Sequence, residues 1–262
     1  MSLYGALSGK PGAQPLVLLH GWGMTSGIWQ SWLPALEAEF QVLIIDLPGL
    51  GSSFFEGDKP YTLTALAEQI LAYSQPLLQQ QPAIWLGWSL GGIVAAQIAD
   101  QYPEQAAGLV TIATNPCFVE RPDWPEAMAP ETFEAFQDAL GTHTLKTLKR
   151  FAMLQGQGDP DPRQLLRSLK AVTAESLSSA SRLEESLALL ATDYRPLFAG
   201  LSLPRLFLYG TEDALVPAAV AHSTLLSAHS RLIANAGHLP FITAEHAVTD
   251  AVIQATRHWQ GS

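Results

Sequence analysis

Ser89, Asp213 and His238 are residues of the types that together make an alcohol nucleophilic. An imidazole beside a hydroxyl takes its proton, and a carboxylate behind the imidazole fixes the tautomer and stabilises the imidazolium. Ser89 stands in Gly87-Trp88-Ser89-Leu90-Gly91-Gly92, between an apolar run and a helix-forming run. A serine between glycines at such a junction is a nucleophile elbow. The turn is too tight for side chains at its flanks, and it presents the hydroxyl on strained backbone near the positive end of a helix. Asp213 follows Tyr209-Gly210 in a loop closed by Leu215-Val216-Pro217, with Glu212 as its near rival. Of seven histidines, only His238 combines a preceding glycine with a position after the last expected strand. Further upstream, His20-Gly21-Trp22-Gly23 turns sharply and leaves amides pointing outward. The backbone N–H groups of Trp22 and Leu90 are expected to form an oxyanion hole, with the Trp22 indole as a wall of the acyl pocket. The chemistry those residue types would perform is acyl transfer through a covalent intermediate.

Those residues need strands to end where they begin. Leu16–Leu19, Gln41–Ile45, Ala83–Leu86, Gly108–Ala113 and Leu203–Gly210 read as buried strands, and Arg231-Leu232-Ile233 begins a last one. Helices are expected over Ile28–Phe40, over Tyr61–Leu78 with Thr62 as N-cap, over Ile93–Ala99 and over Ala244–Trp259. Trp29 and Trp32 read as core. His20 is expected to bond loop backbone, and Asp46 to order its own Leu47-Pro48-Gly49-Leu50-Gly51 turn rather than to act chemically. Strands alternating with helices predict an α/β fold, a mostly parallel central sheet flanked by helices. Residues 117–192 depart from that rhythm: they show helical periodicity, no strand-like run, and prolines at 122, 125, 130, 160 and 162. They are expected to form a helical lid inserted into a core made of residues 1–116 and 193–262.

The chain has 262 residues, a formal net charge of −10 and 48% hydrophobic residues, which suits one folded domain with an insertion. Its acidity argues against a broad nucleic-acid surface. A single cysteine, Cys117, excludes an intrachain disulfide framework and suits a reducing cytoplasm; its default reading is packing near the pocket. No basic segment followed by an apolar core opens the chain, and the uncharged stretch Gln69–Ala99 is broken by prolines, glutamines and glycines, so no membrane span is expected. Gly49-x-Gly51 lacks the third glycine of a dinucleotide fingerprint, and neither a phosphate-binding loop ending in Lys-Ser/Thr nor His-Glu-x-x-His occurs. No metal or organic cofactor is expected.

The motifs above, with Asp46-Leu47-Pro48-Gly49-x-Gly51-x-Ser53 and Ala236-x-His238-x-Pro240-Phe241, resemble the α/β-hydrolase superfamily over nearly the whole chain. The order nucleophile, acid, histidine is that superfamily's order. Within it, Ala83 to Gly92, Pro116-Cys117-Phe118, Trp124-Pro125 and Arg150-Phe151-x-x-Leu154-Gln155 resemble the family of pimeloyl-[acyl-carrier protein] methyl ester esterases of biotin synthesis. That resemblance implies a methyl ester substrate carried on acyl carrier protein, with Trp22, Ser89, Leu90, His238 and the stretch Phe151-Ala152-Met153-Leu154-Gln155 lining the acyl channel. The carrier is acidic, and the lid is locally basic. Lys146, Lys149 and Arg150 fall on one helix face, and Arg163, Arg167 and Lys170 on a second. Lys146, Arg150, Arg163 and Arg167 are the expected carrier contacts, although a solvated basic face has the same pattern. The expected enzyme is a cytoplasmic monomer. A general short-chain carboxylesterase or a carbon–carbon bond hydrolase would share the triad with another pocket, and a small-ligand receptor that hydrolyses slowly would keep it as well.

Overall fold

The computed structural model describes residues 3–55, 59–163, 165, 167, 169 and 182–259. Among the described residues, seven strands form one sheet in the order β1-β3-β2-β4-β5-β6-β7. They are β1 (Gly5–Gly9), β2 (Pro15–Leu19), β3 (Gln41–Ile45), β4 (Ala83–Trp88), β5 (Ala106–Ile112), β6 (Arg205–Gly210) and β7 (Ser230–Ile233). Only the β1–β3 pairing is antiparallel; the other five pairings are parallel. β2 and β4 are buried along their whole length, as continuous apolar runs in a sheet covered on both faces should be.

The strand period of two divides the core. From β4, Ala83 and Trp85 join one hydrophobic cluster, and Ile84, Leu86 and Trp88 join the other. The first cluster lies against α2 (Leu63–Leu77) and α3 (Leu90–Gln101) and takes in Trp22. The second holds Trp29, Trp32, Phe241 and the inner face of the C-terminal helix Glu245–Trp259.

Several element boundaries differ from the sequence reading. β1 was not anticipated, because its five residues are small or partly exposed and lack an apolar alternation. The helix expected over Ile28–Phe40 is instead a 3-10 turn, Ser26–Trp29, and a short α1, Leu33–Glu37. Pro34 lies in the first turn of α1, where its missing N–H costs nothing, and so marks a start rather than an interior. Thr62 caps α2 as expected, its hydroxyl accepting from the Ala65 N–H at 3.2 Å.

Between β5 and β6 the chain leaves the sheet as a helical insertion. Isolated bridges pair Cys117 with Asp193, Val119 with Met128 and Arg121 with Trp124, so this stretch is not wholly helical. Asn115 anchors it: its Oδ1 accepts from the Cys117 N–H at 3.1 Å and the Trp124 indole at 3.0 Å. α4 (Pro130–Gln155) follows, kinked at His143, where φ is −141° and ψ 50°. The Thr147 hydroxyl spans the kink, within 2.9 Å of the Ala139 carbonyl and 3.1 Å of the His143 carbonyl. The helices Leu183–Leu189 and Arg195–Gly200 then lead back to β6.

Candidate active site

β4 ends at Trp88, and Ser89 turns the chain directly into α3. Ser89 has φ 54° and ψ −120°, a conformation that costs a non-glycine residue about 1–3 kcal/mol and persists only where the surroundings impose it. The surroundings do. The Ser89 N–H donates to the Ile112 carbonyl at 2.9 Å, fixing it to the end of β5. The Thr114 hydroxyl donates to the Ser89 carbonyl at 3.1 Å. A β-carbon on Gly91 would strike the Leu19 and His20 carbonyls, and one on Gly92 the Thr114 hydroxyl.

Asp213 and His238 meet at the ends of β6 and β7. Asp213 Oδ2 lies 2.8 Å from His238 Nδ1. Asp213 Oδ1 accepts the N–H groups of Leu215 and Val216 at 2.8 and 2.9 Å. The carboxylate is thus oriented by two backbone donors and can only accept from the imidazole, so the proton sits on Nδ1 and Nε2 carries the lone pair. His238 Nε2 is buried and has no hydrogen-bond partner among the described residues. The Ser89 hydroxyl is not bonded to it in this conformation; such bonds commonly tighten only when substrate arrives. The rival Glu212 is exposed, with its carboxylate 3.1 Å from the Thr211 hydroxyl.

The His20–Gly23 loop passes over the serine. A β-carbon on Gly21 would stand 3.3 Å from Ser89 Cβ. His20 holds the loop: its Nδ1–H donates to the Gly21 carbonyl at 2.8 Å, and its Nε2 accepts the Leu47 N–H at 2.9 Å. Burial depresses the His20 pKa, against the pull of the neighbouring Asp46 carboxylate. Asp46 in turn accepts from the Ser26 N–H at 2.6 Å and the Ser52 N–H at 2.8 Å, so it orders turns rather than acting chemically. Leu90 opens α3, and an opening helical amide has no carbonyl a turn earlier to bond. No hydrogen bond engages the Trp22 N–H among the described residues.

Trp22 also meets the insertion. Its indole N–H donates to the Leu183 carbonyl at 3.0 Å. Its ring takes edge contacts from Phe136 and Phe151, with centroids 5.6 and 5.0 Å away. Phe151 and Gln155, one turn apart, are both buried, and both polar atoms of the Gln155 amide lack a partner among the described residues. Ala152 is buried and Leu154 half-buried, whereas Met153 is 65% exposed. Met153 therefore does not share the face of Phe151: two helical residues on, it points nearly the opposite way. It borders an outer groove with Lys146, Lys149 and Arg150. Arg163 and Arg167 are exposed, and Lys170 lies outside the described residues.

Two contributors were missed in the sequence. Phe136 belongs to a Phe133-Phe136-Leu140 stripe whose helical spacing could have placed it inward. Asp159 is buried, and its Oδ2 accepts the Gly237 N–H at 3.4 Å, next to His238. No periodicity marks it. Ser89 is itself only 7% exposed.

A family model described as alpha/beta hydrolase fold matches residues 14–245. The chain is 41% identical over 239 residues to a pimeloyl-[acyl-carrier protein] methyl ester esterase from Edwardsiella ictaluri, covering 88% of this chain and 89% of that protein. It is 40% identical over 233 residues to the protein of the same name from Aeromonas hydrophila, covering 87% and 89%. Among solved structures, a bromoperoxidase from Bacillus anthracis superposes with a TM-score of 0.86 at 21% identity, covering 97% of this chain and 95% of that one. An esterase from Thermogutta terrifontis gives 0.78 at 24%, covering 98% and 93%. At those identities the structures show a shared fold. No helix among the described residues is long and apolar enough to cross a membrane. The chain belongs to the α/β-hydrolase family and, within it, to the family of the pimeloyl-[acyl-carrier protein] methyl ester esterases.

Proposed function

We propose that the chain is a serine carboxylesterase that removes the methyl group from a pimeloyl methyl ester carried on acyl carrier protein, the activity for which its relatives are named. The observation that carries the proposal is His238: Nδ1 is committed to Asp213, Nε2 is buried with no partner among the described residues, and Trp88, next to a serine held at positive φ, donates to the His238 carbonyl. Nε2 takes the Ser89 proton as Oγ attacks the ester carbonyl. The N–H groups of Trp22 and Leu90 receive the oxyanion. As the tetrahedral adduct collapses, the ester C–O bond breaks and His238 returns its proton to the methoxy oxygen, so methanol leaves. Water, deprotonated by the same nitrogen, then attacks the acyl-enzyme and frees the carboxylate and Ser89.

Residues 117–192 serve as the lid over a core of residues 1–116 and 193–262. Phe151, Ala152, Leu154 and Gln155 line the acyl channel with Trp22 and Leu90, and the orphaned Gln155 amide supports a polar substrate group there. Lys146, Arg150, Arg163 and Arg167, all exposed on the insertion, receive the acidic carrier; the enzyme works as a cytoplasmic monomer.

Steady-state hydrolysis of the carrier-bound methyl ester and of a short p-nitrophenyl ester tests this. Ser89→Ala should lose turnover on both by orders of magnitude. Neutralising the four basic residues together should raise KM for the carrier-bound ester by about tenfold to a hundredfold. The short ester should be unaffected, and added salt should mimic the change. Equal effects on both substrates would remove the carrier from the proposal.

A further inference from the structure

Trp88 meets Ser89, His238 and the loop over the serine. It is covalently next to Ser89, and the β4 alternation that sends Trp85 to one face sends Trp88 to the other. It is fully buried. Its indole N–H donates to the backbone carbonyl of His238 at 2.9 Å. Its ring lies against the imidazole, with centroids 5.5 Å apart and planes at 57°. A β-carbon on Gly21 would come within 3.0 Å of its Cε3 and Cζ3, so the loop over the serine rests on the same ring. Phe241 closes from another side, edge-on at 5.6 Å.

We propose that Trp88 is a positioning residue for the esterase reaction, setting the His238 backbone relative to Ser89 and to the oxyanion loop; this rests on the triad reading above. His238 stands on irregular backbone between β7 and Pro240, and among the described residues its side chain is hydrogen-bonded only through Nδ1. A ring held only there can pivot about Asp213, carrying Nε2 off line. The indole bond fixes the other end of the residue, its carbonyl, and the ring face limits the pivot. Misplacement by about 1 Å can cost roughly a hundredfold in rate. A buried tryptophan N–H needs some acceptor; here the acceptor belongs to the residue that carries the proton.

The test replaces the N–H and keeps the shape. Trp88→Phe deletes the donor and part of the ring, while 3-benzothienylalanine installed at position 88 has sulfur in place of the N–H on a bicycle of the same size. Both proteins, with Ser89→Ala alongside, are assayed on a short p-nitrophenyl ester at a temperature where circular dichroism shows them folded. The expected result is kcat down about tenfold in both with KM within twofold, and broadening of the downfield proton resonance of the His238–Asp213 bond. Wild-type kcat with benzothienylalanine overturns the role of the N–H, and so does a rise in KM at unchanged kcat. If Trp88→Phe fails to fold, the benzothienyl protein alone decides. Turnover surviving Ser89→Ala sinks the triad reading itself; normal kcat in the Trp88 proteins beside an inactive Ser89→Ala sinks only the role of Trp88.

Discussion

Asp213→Asn changes almost no shape and should still remove nearly all activity. The reason lies in the two backbone donors, from Leu215 and Val216, that aim at Oδ1 at 2.8 and 2.9 Å. An asparagine can be placed two ways. With its oxygen at the Oδ1 position both donors stay satisfied, and the NH2 group faces His238 Nδ1. With its NH2 there instead, two buried N–H groups lose their acceptor, at about 1–3 kcal/mol each. The first placement is therefore favoured by about 2–6 kcal/mol. In it, a donor faces Nδ1, so the imidazole must move its proton to Nε2 and can no longer act as a base. The expected loss in kcat is about 10⁴-fold, the size seen when a serine-protease triad suffers the same exchange, or about 5.5 kcal/mol of transition-state stabilisation. The assay is the initial rate on a p-nitrophenyl ester near neutral pH, with thermal unfolding of the same sample. The melting temperature should stay close to wild type. A loss below tenfold would refute the tautomer argument, because then the carboxylate does not decide which nitrogen is free.

Ser89→Gly should abolish turnover yet stabilise the fold: relief of about 1–3 kcal/mol of backbone strain exceeds the 0.5–1 kcal/mol or so that glycine loses in chain entropy. Differential scanning calorimetry should show the midpoint rising by about 2–4 °C; an unchanged or lower midpoint would mean Ser89 is not strained. The depressed pKa of His20 makes stability fall in acid, since below about pH 6.5 the unfolded chain takes up a proton that the buried, Leu47-bonded imidazole refuses. Urea midpoints should drop between pH 7 and 5.5, and His20→Asn should flatten part of that slope. Parallel slopes in the two proteins would show that His20 titrates alike in both states.

The site was legible because it is local. Ser89 between its glycines, His238 after Gly237 and Asp213 after Gly210 each announce a strand end, and parallel strands put all their ends on one side. β2, β3 and β4 were legible for the same reason, as apolar runs bounded by turns. What escaped depends on distance along the chain. β1 has no apolar pattern of its own and exists through register with β3. The break at Pro34 is a matter of which turn the proline opens. The family resemblance runs through Phe151 to Gln155 as one contiguous stretch, whereas the helical period separates Met153 from Phe151. The Asp159 contact with Gly237 joins residues 78 apart, and no local rule announces it.

Trp22 belongs at once to the loop over Ser89 and to the packing of the insertion. Its peptide N–H lies in the loop proposed to receive the oxyanion, while its indole is fastened to Leu183 and flanked by Phe136 and Phe151. A substitution at Phe136 or Phe151 therefore changes what stands against a residue of that loop, although neither position lies in it.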